Sequence, residues 1–215
     1  MAKAIGFIGV PSRDIVYYIG RILRICGQEV LVVTYQEEKK AVCQPSYNMG
    51  LDWLECSREW LQEHKEIVDS YSYVLYEVEI CEEGIERDLD NTFDYIVVIT
   101  NLYKRVMQGA AQIISQYKKQ CILIVRDICN KRLDSKYFIR NYPLCEEWCI
   151  INEIWLDSYD LYYKQCLEFE EGKNFRNMSN DMIKTLACIV RQMQLFTTRE
   201  IHSAIQQLKK GGGEC

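Results

Sequence analysis

The residues best suited to chemistry lie in the segment Gly6-Phe-Ile-Gly-Val-Pro-Ser-Arg-Asp14. This segment follows a short apolar run and precedes a helical pattern, which is where a nucleotide-binding α/β protein has its phosphate loop. A working loop of that kind reads G-x-x-x-x-G-K-[ST], in which backbone N–H groups hold the phosphates, the lysine neutralises them and the hydroxyl binds magnesium. The candidate nucleotide-binding residues are therefore Gly6, Gly9, Val10, Pro11, Ser12, Arg13 and Asp14.

Apart from its two glycines, this loop has the wrong chemistry for a phosphate. Pro11 has no N–H to donate, the dipeptide Arg13-Asp14 is found in place of any Lys-Ser or Lys-Thr pair, and Asp14 adds negative charge. We therefore favour a strand-to-helix turn in which Ser12 or Asp14 caps the helix and Pro11 makes the bend rigid. The alternative is an atypical nucleotide site in which Arg13 and the backbone amides replace the lysine.

The elements that position this loop alternate between strands and helices. Short apolar runs predict the strands Ala4–Gly9, Glu29–Thr34, Tyr73–Ile80, Phe93–Thr100, Cys121–Arg126 and Cys149–Leu156. Helical spacing predicts the helices Asp14–Cys26, Val106–Tyr117, Ser135–Asn141, Asp157–Phe169 and Ser179–Met193. Between these, residues 37–50 look irregular, and Trp53, Leu54, Trp60 and Leu61 fit a helix or a decorated crossover.

This order of elements predicts a three-layer αβα sandwich with a mostly parallel central sheet. Ligands of such sheets bind at the carboxyl ends of the strands, which is the edge where the 6–14 loop lies. We expect residues 1–192 to form this α/β domain, and residues 193–215 to form a C-terminal amphipathic helix with a flexible glycine-rich tail.

Composition limits the classes of partner. The net charge of −5 argues against a nucleic-acid-binding surface and favours protein partners. The chain has neither a signal-peptide pattern nor an apolar stretch of roughly 18 residues, so we expect a cytoplasmic protein. The eleven cysteines are scattered, and His64 and His202 are far apart, so we expect reduced thiols and no metal site.

The spacing of the first 34 residues resembles the MinD/ParA family of deviant-Walker ATPases. The family's opening reads approximately KGGVGKTT, followed by a helix, a glycine and a strand ending VLLVDAD. Val10, Gly27 and Val30–Val33 fall in register with it. In this alignment each catalytic group is replaced. Phe7 and Ser12 replace the family's lysines, and Ile8 and Pro11 replace two loop glycines. Arg13 replaces the magnesium-binding threonine, and Thr34 and Gln36 replace the strand-end aspartates.

The resemblance continues over roughly residues 3 to 190. Phe93–Thr100 is similar to the family's YDYIIIDTPP strand, with Ile99 at the position of the metal-associated aspartate. Ile154-Trp-Leu-Asp157 resembles its IPYD turn, and residues 171–189 resemble its EGKPV segment and the helix that follows.

The resemblance implies the family fold but not its activity, because the groups that neutralise phosphate and bind magnesium are replaced together. We expect a noncatalytic pseudo-ATPase without a cofactor, although an ATP/Mg switch using Arg13 is the alternative. By analogy within the family, we expect a role like that of the TadZ/CpaE proteins, which have atypical loops and help to localise bacterial pilus or secretion machinery. Because the family dimerises face to face around its loops, the resemblance also implies a homodimer.

Three further patterns have two interpretations each. The aromatic candidates either fill the core or form a protein interface; they are Trp148, Trp155, Tyr159, Tyr162 and Tyr163. The apolar face of the last helix packs on its own domain or contacts a membrane; it contains Leu195, Phe196, Ile201, Ala204, Ile205 and Leu208. Two acidic groups are expected to be solvated surface rather than acid/base catalysts; they are Glu77, Glu79, Glu82, Glu83 and Glu86, and Glu168, Glu170 and Glu171.

Overall fold

The computed structural model of the chain describes residues 2–35, 43–79, 93–117, 119–169, 175–193 and 196–211. Its strands are β1 (Lys3–Gly9), β2 (Val30–Tyr35), β3 (Ser46–Asn48), β4 (Leu51–Cys56), β5 (Tyr73–Glu79), β6 (Tyr95–Thr100), β7 (Cys121–Ile128) and β8 (Cys149–Trp155). Its helices are α1 (Arg13–Ile25), α2 (Arg58–Glu63), α3 (Lys65–Asp69), α4 (Lys104–Tyr117), α5 (Ser135–Asn141), α6 (Leu144–Trp148), α7 (Ser158–Glu168), α8 (Asn180–Gln192) and α9 (Thr198–Lys209).

These strands form one sheet in the order β3-β4-β2-β5-β1-β6-β7-β8. Every neighbouring pair is parallel except β3 with β4, which is antiparallel. The runs Val30–Val33 and Ile96–Ile99 are buried along their whole length, as strands with helices on both sides must be. The predicted αβα sandwich with a mostly parallel sheet is confirmed.

Two hydrophobic cores lie on opposite faces of the sheet. The first core lies between the sheet and α1, α7, α8 and α9, and the second lies between the sheet and α2 to α6. Successive strand residues point to opposite faces, so Ile5 and Phe7 of β1 enter the first core and Ile8 enters the second. The same alternation decides which strand residues can reach the start of α1.

A glycine-containing turn ends α1. Gly27 has a φ of +80° and follows the C-cap residue Cys26. Its N–H donates to the Arg24 carbonyl at 2.9 Å, and the Gln28 N–H donates to the Leu23 carbonyl at 3.0 Å. This pair of hydrogen bonds is the Schellman motif, which ends a helix at a left-handed glycine.

The prediction of a helix at Trp53 and Leu54 is wrong, whereas the alternative of a decorated crossover agrees with the structure, because β3 and β4 lie in the chain between the parallel neighbours β2 and β5. Residues Leu51–Cys56 form β4, whose Trp53 pairs with Val32 of β2. Trp53 enters the first core and Leu54 the second, so both neighbouring apolar residues are buried on a strand between two layers. Ser46–Asn48, within the range predicted to be irregular, pairs with β4 as the antiparallel edge strand β3. Trp60 and Leu61 do lie on a helix, α2.

The C-terminal helix α9 packs on the domain. It begins with a capping box in which the Thr197 side chain accepts from the Glu200 N–H and the Glu200 carboxylate accepts from the Thr197 N–H. Its apolar residues Ile201, Ala204, Ile205 and Leu208 are at most 2% exposed and belong to the first core with α1 and α8. This apolar face is therefore covered by protein, while Leu195 lies outside the described residues. No helix in the described ranges is both long and apolar enough to cross a membrane.

Candidate functional site

The 6–14 segment lies at the carboxyl edge of the sheet, between the end of β1 and the start of α1. Four neighbouring strands each direct one group toward it. On β5, Tyr73 and Leu75 enter the first core, so strand alternation turns Glu77 to the same face. On β7, Ile122 and Ile124 enter that core, so alternation turns Arg126 to this face as well. The side chain of Trp53 on β4 and the carbonyl of Ile99 on β6 complete the set.

Both glycines of the segment lie against close neighbours, and packing requires the second of them. A Cβ on Gly6 would lie 3.0 Å from the ring of Phe93. A Cβ on Gly9 would lie 1.8 Å from the Ile99 carbonyl oxygen, and Gly9 has a φ of +151° that side chains rarely adopt. The close approach of β1 to β6 therefore explains Gly9 without any ligand.

Two of the loop's amides already bond to acceptors within the protein. The Val10 N–H donates to the Ile99 carbonyl at 3.1 Å, and the Ser12 N–H donates to Oε1 of Glu77 at 3.0 Å. Pro11 between them has no N–H. Burial raises the pKa of Glu77, and the hydrogen bond from Ser12 and the charge of Arg13 partly oppose that rise.

Ser12 and Arg13 make contacts that the sequence does not predict. Ser12 is the N-cap residue of α1 and its carbonyl accepts from the Val16 N–H at 3.0 Å, but its side chain accepts no hydrogen bond from the helix. The Arg13 guanidinium lies over the ring of Trp53, 4.9 Å from the ring centroid. This distance is within the range of a cation–π interaction.

Asp14 does not cap the helix either, because its carboxylate pairs with Arg126. Nη1 and Nη2 of Arg126 donate to Oδ1 and Oδ2 of Asp14 at 2.9 and 2.8 Å. The side chains of Arg126 and Asp14 are 3% and 0% exposed. The prediction of a side-chain cap from Ser12 or Asp14 is therefore wrong, since the first turn of α1 uses its acidic residue for a buried ion pair.

A second carboxylate, Asp160 on α7, is buried close to this pair. Its Oδ1 accepts from the Ser179 N–H at 3.0 Å, and its Oδ2 has no hydrogen-bond partner among the described residues. Burial raises the pKa of Asp160, and the charge of Asp14 adds to that rise. Burial also raises the pKa of the Tyr18 hydroxyl, with Asp14 and Asp160 acting in the same direction. The side of the site toward α7 is thus rich in carboxylates.

The acidic groups noted in the sequence separate into different environments. Glu77 is half-buried and bonded to Ser12, so the expectation of a solvated side chain is wrong for this residue. Glu79 and Glu168 are exposed. The others lie outside the described residues; they are Glu82, Glu83, Glu86, Glu170 and Glu171.

The aromatic candidates do not form one surface. Tyr163 is buried, contacts Phe175 at a centroid distance of 5.2 Å and accepts from the Asn177 N–H, so it belongs to the core. Trp155 is half-buried against the second core. Trp148 lies at the other end of β8, about 20 Å from Trp155 along the strand. Tyr159 and Tyr162 are about half exposed on α7 and stay interface candidates.

Among the residues that the structure describes, cysteine and histidine side chains do not form a metal centre at this edge. Within the described ranges, no three His, Cys, Asp or Glu side chains are arranged to hold a metal ion. The nine described cysteines are free thiols, and Sγ of Cys121 lies 3.5 Å from Sγ of Cys149.

Comparison with known proteins identifies the fold. No family model and no curated protein matches the chain. A structure of the MinC:MinD cell division protein complex of Aquifex aeolicus is similar, with 17% identity, a TM-score of 0.60, and coverage of 91% of this chain and 98% of that chain. For apo McdA of Cyanthece the identity is 9% and the TM-score is 0.61, and the match covers 95% of this chain and 100% of that chain. The structure of pNOB8 ParA bound to nonspecific DNA is 10% identical with a TM-score of 0.56, and the match covers 92% of this chain and 100% of that chain.

The chain therefore has the α/β fold of P-loop nucleotide triphosphatases. Within that class the fold is that of the MinD and ParA ATPases, as the sequence resemblance predicts. At these identities the likeness concerns the fold alone.

Sequence reasoning missed Arg126, Asp160 and the role of Glu77. Arg126 has a recognisable signal, because it is a charged residue that directly follows five apolar residues of a buried strand, Cys121–Val125. A charge at that position must find a partner at the sheet edge. Its partner is 112 residues away, so no local spacing identifies Asp14.

Proposed function

We propose that this protein is a noncatalytic MinD/ParA-like pseudo-ATPase that acts as a scaffold or localisation factor through protein contacts. The observation that carries the proposal is the state of the loop: the N–H groups of Val10 and Ser12 bond to Ile99 and Glu77, and Pro11 has none. A phosphate at this loop would have to displace the Glu77 carboxylate, whose charge repels it.

The charges next to the loop support the same proposal. The Arg126 guanidinium donates both of its terminal N–H groups to Asp14, and the Arg13 guanidinium lies over the ring of Trp53. Phosphate neutralisation and magnesium binding both need groups that the family alignment replaces. We infer that Mg-ATP hydrolysis does not occur and that Mg-ATP does not bind tightly.

The role as a scaffold rests on resemblance to the TadZ/CpaE proteins and on the character of the structural neighbours. One neighbour is a MinD in complex with MinC, which favours a protein partner for a surface of this fold. A ParA neighbour is bound to nonspecific DNA. We nonetheless expect no nucleic-acid partner, because the net charge of this chain is −5. We place the protein in a bacterial pilus or secretion assembly, as a homodimer.

Thermal unfolding with and without Mg-ATP tests the loss of nucleotide binding. A ligand at a hundred times its Kd stabilises a protein by about 2.7 kcal/mol, or roughly 5 to 10 °C in Tm for a chain of this size. We expect a change below about 1 °C with 5 mM Mg-ATP or Mg-ADP, and a change of several degrees for a MinD ATPase measured beside it.

The Arg13→Ala variant separates the two hypotheses. A saturable rise in Tm in the wild type that Arg13→Ala abolishes would support the atypical nucleotide switch and contradict the pseudo-ATPase. A saturable rise that Arg13→Ala leaves intact would also contradict the pseudo-ATPase and place the nucleotide away from Arg13.

A further inference from the structure

Arg126 is positively charged, but its side chain is buried on the sheet, away from water. Ile122 and Ile124 precede it on the same face of β7 and are buried in the first core. The next residue, Asp127, has a φ of +59°, and the register of β7 against β8 shifts between Val125 and Ile128. This bulge ends the regular pairing just where Arg126 turns toward α1.

The guanidinium of Arg126 binds an anion in a planar, two-point geometry. Both terminal nitrogens donate to the two carboxylate oxygens of Asp14, at 2.9 and 2.8 Å. This fork-to-fork arrangement is the one in which arginine also recognises oxoanions such as phosphate. Burial works against the charge of Arg126, but the charges of Asp14 and Asp127 raise its pKa, so the guanidinium stays ionised.

Asp14 is the second residue of α1, at the end of a loop in the phosphate-loop position. The positive end of a helix dipole favours an anion in the first turn, and both oxygens of the Asp14 carboxylate accept hydrogen bonds from the buried guanidinium. Arg126 therefore bonds the Asp14 carboxylate directly, and the dipole of α1 favours the same negative charge. The anion that occupies this point is part of the chain.

We propose that Arg126 and the first turn of α1 form an anion-binding site whose permanent occupant is the chain's own Asp14 carboxylate, which holds the loop in one arrangement without an external ligand. This deepens the proposed function and rests on it, because a loop that supplies its own anion does not need a nucleotide to become ordered.

Replacing Asp14 by alanine tests the proposal, with sodium formate as the probe because formate has the size of the deleted carboxylate. We expect Asp14→Ala to lower Tm by at least about 6 °C, because an unpaired buried charge is strongly destabilising. Formate should then restore about 3 °C or more in a saturable manner relative to sodium chloride of equal ionic strength.

Two control variants isolate the guanidinium. Asp181 is the second residue of α8 but its side chain is 37% exposed, so Asp181→Ala removes a helix-terminal aspartate without uncovering a buried cation. It should lower Tm by less than about 2 °C and show no formate response. The double variant Asp14→Ala with Arg126→Met removes both charges and should also lose the formate response.

The proposal is overturned if Asp14→Ala responds to formate no more than the double variant does, or if it is as stable as the wild type. If Asp14→Ala does not fold, Asp14→Ser is measured in its place. Recovery of the far-UV circular dichroism of Asp14→Ser in formate supports the proposal. If that signal does not recover while the double variant is folded, the proposal is overturned. These outcomes are independent of the Mg-ATP titration of the wild type, so failure of the proposed function and failure of this inference are distinguishable.

Discussion

At the scale of single residues, Gly9 joins the geometry of the loop to the stability of the sheet. It is the last residue of β1, and its Cα faces the backbone of Ile99 so closely that no side chain fits between the two strands. The contact lets the Val10 N–H reach the Ile99 carbonyl at 3.1 Å and directs the chain into the loop. A glycine that looks like part of a phosphate loop is here a condition for strand packing.

We predict that Gly9→Ala destabilises the fold by at least about 3 kcal/mol, because the new Cβ meets a backbone oxygen that cannot rotate away. Gly27→Ala is the matched control, since Gly27 also has a positive φ, of +80°, but no atom within 4 Å of the added Cβ. It should cost only about 1 to 2 kcal/mol. Urea unfolding measures both free energies, and equal losses would show that backbone conformation rather than the Ile99 contact requires Gly9.

The sequence identifies where this loop lies but not what holds it. Gly9, Pro11 and Asp14 are close together in the chain, so their types and spacing can be read directly. Glu77 and Arg126 reach the loop only because strand alternation and sheet order bring β5 and β7 to the same edge. Such contacts depend on register across strands that are 65 and 112 residues away in sequence, which no local pattern encodes.

At the scale of elements, the parallel strands and the long helices were predictable because each has one dominant periodicity. Val30–Val33 is a continuous β-branched and leucine run, and α1 repeats apolar residues on one face. The exception is β4, where Trp53 and Leu54 are adjacent and apolar, so a short run is compatible with a helix or a strand. Only its pairing with β2 makes it a strand.

The last helix gives a prediction at this scale, since its apolar face is covered by α1 and α8 rather than exposed. Ile205→Ala should lower the free energy of unfolding by about 2 to 4 kcal/mol, because Ile205 is 1% exposed and its deletion leaves a cavity in the first core. The neighbouring Gln206 is exposed, so Gln206→Ala should change it by less than about 0.5 kcal/mol. If Ile205→Ala were equally mild in urea unfolding, α9 would not be part of the folded core.

At the scale of the whole molecule, exposed apolar side chains follow the carboxyl ends of several strands. Tyr103 follows β6, Leu133 follows β7, and Leu156 and Tyr159 follow β8, and these four are 75%, 40%, 53% and 50% exposed. Exposed apolar side chains that share one edge favour a protein interface. The edge that a nucleotide would occupy in a working ATPase is thus suited to a second protein surface.

We therefore predict a homodimer through this edge that forms without nucleotide, because Glu77, Ile99 and Arg126 bond to residues of the loop within one chain. Light scattering at micromolar concentration should give a mass near twice the 25.4 kDa of one chain, unchanged by Mg-ATP.

Leu156→Glu should weaken the dimer at least about tenfold, because it places a charge in an apolar contact. Leu144→Glu is the control: Leu144 is 68% exposed but precedes β8 at the opposite edge, so its replacement should leave the mass unchanged. A monomer in the wild type, or equal dissociation by both variants, would show that the carboxyl edge does not join two copies of this chain.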